Sequence, residues 1–463
     1  MRRIGMALLA FFGIACIAAA ITIPTYLVPK LKVVPLDLDI TTDSTSIAAL
    51  NNTGERFPAV IFDRCSVSKD KAAQLTVSLK QQRRSVVVEP SNDSQATIEA
   101  GQTVLIDRIQ GKDGEERQPK LATSDGDRKC DDALLTANVD RVSLDRKSSA
   151  PNGAVSSLQL EAAPDGVPVE DVSVPLEKRQ GFQYKFGFDV KKRDYYYYDL
   201  NTRSDAVAKF VDEKTINGVK VYHFKAEVPE TNISNLPNPK GEAPLGTILT
   251  MPAKWWGITA DGLKPEEPIT MHRHAAAVRH VWVEPTTGTI VDGYEEQHQY
   301  FKSPEGTEDL PKEVNDFRMD ALKANFKLSD KTVKEQTDRA SSYIGQLKWG
   351  GLYAPIILGV LGALLLALWA LLLFRGRGDD ADGDDPRDGH PTGDDAAEPE
   401  LSMDKDDQRT QAFGAGAAAA APTSDLWSPA PPPETDPQAD TVVLPPLPDP
   451  NSTQSIPRHM LPD

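Results

Sequence analysis

The chain has 463 residues, and its 51 Lys and Arg against 68 Asp and Glu leave a formal charge of −17. That balance argues against a nucleic-acid-binding protein, which needs a clustered basic face to displace condensed counterions. Most of the acidity sits in residues 375–463, with six basic and nineteen acidic side chains, so the rest of the chain is nearly neutral.

In chain order, the first element is an uncharged run from Ile4 to Val28. It exceeds the roughly 20 residues needed to cross a hydrocarbon core as a helix. A cleaved signal peptide is the alternative, but its apolar core is usually about 7 to 15 residues. Here the run continues past Ala18, Ala19 and Ala20 to Val28, which favours an uncleaved anchor. Cys16 lacks the Leu three residues before it that a lipoprotein site usually carries, since Gly13 stands there. A second uncharged run spans Leu352 to Phe374. Arg2 and Arg3 precede the first run and Arg375 and Arg377 follow the second, so the positive-inside bias places both termini in the cytoplasm. The pattern divides the chain into 1–3 (cytoplasmic), 4–28 (transmembrane), 29–351 (extracytoplasmic), 352–374 (transmembrane) and 375–463 (cytoplasmic tail).

The segment 29–351 reads as one mainly antiparallel β domain between two transmembrane helices, a membrane-anchored α+β class. Alternating or β-branched runs recur at Val33–Ile40, Ala59–Phe62, Gln74–Leu79, Ser85–Val88, Thr103–Ile109, Gly181–Val190, Val219–Val228 and Ala277–Val283. The clearest hairpin turns at Pro285 to Gly288, and Asn217-Gly218 favours a tight turn before a second strand pair. Cys65 and Cys130 are the two thiols outside the spans, and in an oxidising compartment they can form one disulfide. Val314, Phe317, Ala321, Leu322 and Phe326 recur at helical spacing, and a second helix is expected from Thr332, capped by Glu335. Together they predict a helical stalk at about residues 312–349.

The tail, with its acidic, alanine-rich and proline-rich stretches, cannot offset the entropy of folding and is expected to be disordered. DQRTQAF around Thr410 and DTVVLPPLP around Thr441 are candidate phosphorylation sites.

No nucleophile elbow, zinc-protease helix, phosphate loop or dinucleotide fingerprint is present, so no enzyme and no cofactor are expected. His272, His274 and His280 lack a neighbouring cysteine, and Arg273 stands between the first two, so no metal site is expected. Glu266 with Glu267 and Glu295 with Glu296 read as solvated surface charge. Aromatic side chains with a polar tip suit an amphipathic surface. Tyr196 and Tyr198 in the run Tyr195–Tyr198, together with Trp255, Trp256 and Trp282, are therefore candidate ligand-binding residues.

The segments RRIGMALLAFFGIACIAAA, YYYYDLNTR, INGVKVYHFKAEV, VWVEPTTGTIVDG and YAPIILGVLGALLLALWALLLF together resemble the actinobacterial porin PorA family, over about residues 1 to 375. The resemblance implies a cell-envelope protein at the plasma membrane that binds or helps move a trehalose monomycolate-like glycolipid. An MmpL3-type lipid exporter would be its partner, and it would support polar envelope growth. DQRTQAF resembles sites of actinobacterial Ser/Thr kinases, which implies forkhead-associated domain proteins as readers of the tail. One alternative is a signalling scaffold that recruits partners through the tail. The other is a porin-like pore former, against which the two uncharged spans and the strand segments broken by Lys, Asp and Pro both speak.

Overall fold

The computed structural model of the chain describes residues 2–122, 128–160, 167–239, 246–307 and 309–376; Thr410 and Thr441 lie outside them. At the start, α1 (Arg2–Thr22) passes through a π turn (Ile23–Leu27) into the short α2 (Val28–Leu31). Pro24 sits in that turn and lacks the N–H that a regular helix would use there. Two helical stretches, Ile4–Leu31 and Asp330–Arg375, are long and apolar enough to cross a membrane. They touch at a pair of glycines. A Cβ on Gly362 would lie 2.9 Å from the Gly13 carbonyl oxygen, and one on Gly13 would lie 2.7 Å from Leu366 Cγ. Small residues at such a crossing let two helix backbones approach.

Between these helices lie β1 (Asp39–Ile47), β2 (Ala59–Phe62), β3 (Gln74–Val88), β4 (Gln95–Gln110), β5 (Glu116–Arg117), β6 (Leu134–Asp145), β7 (Pro151–Gln159) and β8 (Ser173–Pro175). They continue with β9 (Tyr195–Asp199), β10 (Ser204–Ile216), β11 (Val219–Asn232), β12 (Ile248–Pro252), α3 (Ala253–Trp256), β13 (Pro268–Val283), β14 (Ile290–Lys302), α4 (Lys312–Asn315) and β15 (Met319–Leu328). The strands make one sheet in the order β8-β7-β6-β4-β3-β1-β15-β14-β13-β11-β10-β9, with β2, β5 and β12 pairing off this path. Asn217 and Gly218, at φ 46° and 81°, join β10 to β11 in the left-handed conformation that a two-residue hairpin loop requires. A disulfide between Cys65 and Cys130 ties the loop after β2 to the loop before β6.

Residues directly opposite one another in an antiparallel ladder share a face of the sheet. The register therefore draws one continuous face. Asn138, Gln102, Arg83 and Thr42 line up across β6, β4, β3 and β1. Ser44 then opposes Leu328 on β15, Phe326 opposes Glu295 on β14, and Glu295 opposes Arg279 on β13. Arg279 opposes Ala226, and Ala226 opposes Ala208 on β10.

Residues 176–190 form a connector that joins the two ends of the strand order. Leu176 N–H donates to Ser156 on β7, and Phe182 pairs in parallel with Tyr197 on β9. Leu158 of β7, Leu176 and Tyr198 of β9 bury one another. Farther along, Phe186 N–H donates to the Gly288 carbonyl and Val190 N–H to that of Pro285, in the β13–β14 turn. The sheet thus curls until its ends meet at the connector, which covers the free edge of β9.

Four segments fold otherwise than their pattern predicts. Gly181–Val190 is the irregular connector, not a strand, and of Val33–Ile40 only Asp39 and Ile40 belong to a strand, the start of β1. Of the proposed stalk, only Lys312–Asn315 makes a helical turn before β15. Ala321 and Leu322 are adjacent and both buried, one in a cluster with Trp256 and Phe301, the other with Ile61 and Val77. A strand buried on both faces places apolar residues at spacings that imitate a helix. The second helix, α5 (Asp330–Lys348), begins earlier than Thr332: Ser329 Oγ caps it by accepting from the Thr332 N–H. It packs on β11, β13 and β14 through Ala340, Val221, Trp282 and Tyr294, then continues through a π turn (Trp349–Tyr353) into α6 (Ala354–Gly376).

Candidate functional site

The face drawn by the register carries buried charge in place of a uniformly apolar core. Arg279, in the last third of β13, places Nη2 2.6 Å from Asp199 Oδ2 and Nη1 2.7 Å from Glu295 Oε2. Its guanidinium lies 5.9 Å from the centre of the Tyr197 ring. Asp199 Oδ1 also accepts from the Thr202 N–H and hydroxyl. Burial works against the charge of Arg279, yet Glu295 and Asp199 outweigh it and hold its pKa above the ordinary value. Burial pushes the Glu295 carboxyl up in spite of Arg279.

A second buried pair stands where the connector crosses β6. Arg179 grips Asp140 with two parallel hydrogen bonds, Nη1 to Oδ1 at 2.8 Å and Nη2 to Oδ2 at 2.9 Å. Tyr184 donates its hydroxyl to the same carboxylate at 2.5 Å. Fork-to-fork geometry of this kind fixes orientation as well as adding energy. The same guanidinium lies 4.4 Å from the centre of the Tyr198 ring.

Beside Arg279 and Glu295 lies a cavity of about 80 Å³, whose polar lining includes Thr42, Ser44, Gln81, Arg83, Gln102 and Gln183 and whose apolar lining includes Leu200, Val281, Phe326 and Leu328. A volume of this size suits water or a small solute, not an acyl chain.

The five nominated aromatic residues do not meet in one place. Tyr196 is 51% exposed on β9, beside Val207 of β10, away from the cavity. Tyr198 is buried against Arg179 and Leu158; of the run of four, Tyr195 and Tyr197 face inward, against Phe224 and Arg279. Trp255 and Trp256 are each 2% exposed, and their Nε1–H groups donate to the carbonyls of Ser66 and Ile269, both at 3.1 Å. They anchor α3 to the domain core. Trp282 is buried beside α5, stacked 4.6 Å from His223 with Lys214 over its ring. The pairing of an apolar ring with a polar tip serves internal satisfaction here, not an external surface. Glu295, read as surface charge, is internal. Sequence reasoning missed Arg279, Arg179, Asp140 and Arg83; the available signal was the charged Arg279 inside the apolar run from Ala275 to Val283.

The histidines are engaged separately. His272 Nδ1 lies 2.9 Å from Ser234 Oγ, and His280 Nδ1 lies 2.8 Å from His223 Nε2. His274 is buried with Nδ1 3.1 Å from Glu230. Among the described residues no group of three or more His, Cys, Asp and Glu is arranged to hold a metal ion. Burial pushes His274 and His280 down from 6.5 to about 4, and a charged His223 would further oppose protonation of His280. Imidazoles in the unfolded chain take up protons that these folded ones refuse, so their contribution to stability is full above pH 6.5 and is lost as pH falls toward 4. Glu295 and Asp292, pushed up by burial, act in the opposite sense at the acidic end. Thermal unfolding of the full chain across this range is expected to show a shallower acid slope for His280→Gln than for the unaltered protein. Identical slopes would contradict the assignment.

The model of the family described as Porin PorA matches residues 6–371. A protein named Porin PorA from Corynebacterium amycolatum is 29% identical over 403 residues, covering 79% of this chain and 97% of the relative. Another of that name from Corynebacterium resistens is 28% identical over 425 residues, covering 81% and 98%. These matches overturn the expectation of a glycolipid carrier that supports polar growth, because relatives spanning most of the chain carry a porin name. The dispersal of the five aromatic side chains also removes the lipid-binding wall on which that expectation leaned. The sequence from the first apolar helix to the second is one continuous match, and the chain belongs to the porin PorA family.

Proposed function

We propose that the protein is a porin-like pore former whose two apolar helices anchor it in the membrane and whose β domain meets solute outside. The observation that carries this reading is the set of polar side chains on the inner face, Asn138, Gln102, Arg83, Thr42, Glu295 and Arg279, interrupted by Phe326 and Leu328, in a protein whose relatives are named as porins. A water-filled path needs hydrogen-bonding walls, and these side chains supply them over part of the face. The outward positions of β3, among them Thr76, Lys80 and Arg84, are exposed and polar, which suits water and not lipid. In this reading lipid is met by the helices alone. Two helices do not enclose an aqueous path, so the pore forms from several copies. Arg2, Arg3, Arg375 and Arg377 favour both termini in the cytoplasm and the β domain on the opposite side.

Planar-bilayer recording with purified full-length protein is the test. Reproducible conductance steps that scale with added protein are expected. Silent bilayers, from protein shown to be folded and inserted at several protein-to-lipid ratios, would overturn the proposal.

A further inference from the structure

The inner cavity contains one guanidinium that the protein's own carboxylates do not claim. Arg279 is held by Asp199 and Glu295, and Arg179 by Asp140. Arg83, on β3 of the same face, has no ion-pair or hydrogen-bond partner for its side chain among the described residues; its guanidinium stands 5.3 Å from the centre of the Tyr184 ring. Its neighbour Arg84 points to the other face and is paired with Asp39 at 2.7 Å. Both Tyr184 and Glu295 lie close enough to feel the charge of Arg83. Neither is hydrogen-bonded to it. The Tyr184 hydroxyl is committed to Asp140, while the two Glu295 oxygens are occupied by Arg279 and by the Gln297 amide.

Around Arg83 the lining is rich in neutral hydrogen-bond donors. Register places Thr42 and Gln102 directly beside it on the flanking strands, and Ser44 and Gln81 one step along the same face. Opposite Gln102 lies Asn138, whose Oδ1 is buried without a partner; turning that amide presents an N–H₂ group instead. A cation partly removed from water, surrounded by amides and hydroxyls, is costly unless an anion joins it. We propose that Arg83, with Gln81 and Gln102, forms a binding site for a small inorganic anion, of the size of chloride or nitrate. Arg83 supplies the charge and the planar donors, and the amides complete the shell that the ion leaves behind in water. This inference rests on the preceding proposal only in taking the inner face as the one that meets solute.

The probe is chloride alone, followed by ³⁵Cl NMR line broadening with the full-length protein in detergent. A saturable excess linewidth, removed by competing nitrate, is expected. Arg83→Met should weaken it roughly tenfold or more, as loss of a charge-assisted contact implies, while Arg83→Lys should retain part of it. Arg84→Met should leave it unchanged. Circular dichroism of each variant separates lost binding from lost fold, and Arg83→Lys keeps the test open if the methionine variant does not fold. Absence of saturable broadening in the folded unaltered protein, or its full persistence in folded Arg83→Met, would overturn the site. Conductance without broadening would leave the pore reading standing and remove this one; broadening without conductance would do the reverse.

Discussion

Arg279→Met is expected to lower the stability of the β domain by about 3 to 5 kcal/mol, the range for breaking a buried ion pair from one side. The side chain joins Asp199 on β9 to Glu295 on β14, and with Arg279 removed both carboxylates remain inside without a cation. Asp199 keeps the Thr202 donors and Glu295 keeps Gln297, so part of the cost is cushioned. Neutralising the orphaned acids should recover most of the loss: the triple variant Arg279→Met, Asp199→Asn, Glu295→Gln is expected to unfold much closer to the unaltered protein than the single one. That non-additivity is the signature of one network. Urea unfolding midpoints in detergent measure it. A single-variant loss below about 1 kcal/mol would show that water reaches the site and screens it.

The parts of the architecture legible in the sequence were those set by local or solvent physics. Ile4 to Val28 and Leu352 to Phe374 could be read as long helices because an uncharged run of that length favours one that satisfies its own backbone groups. Asn217-Gly218 and the turn after Val283 could be read because short hairpin loops demand particular backbone conformations. The inner face could not, because which residue opposes which is decided by pairing between strands as distant as β1 and β15. Glu295 shows the difficulty. Its adjacency to Glu296 correctly places the two on opposite faces, but nothing local says which face closes inward. Likewise the run Tyr195–Tyr198 shows alternation without showing that the connector covers Tyr198 and leaves Tyr196 bare.

The connector that closes the sheet leads to the second large effect. Gly288 sits in the β13–β14 turn at φ +73°, and a Cβ there would lie 2.2 Å from the carbonyl oxygens of both Phe186 and Gly187. Those atoms are backbone, and the Phe186 N–H is itself bonded to the Gly288 carbonyl, so neither side can move without breaking the contact. Gly288→Ala is therefore expected to cost about 3 kcal/mol or more, combining left-handed strain with overpacking. Gly153→Ala separates the two terms. Its φ is +78°, nearly the same, but no atom lies within 4 Å of the added Cβ, so strain alone remains, at about 1 kcal/mol. Hydrogen exchange should locate the damage: in Gly288→Ala the amides of Phe186 and Val190 exchange faster, while those of β3 and β4 stay protected. Release of the connector would also free Gln183 from the cavity and Tyr184 from Asp140. The same substitution therefore ties closure of the sheet to the shape of the polar interior, and equal costs at Gly288 and Gly153 would refute that link.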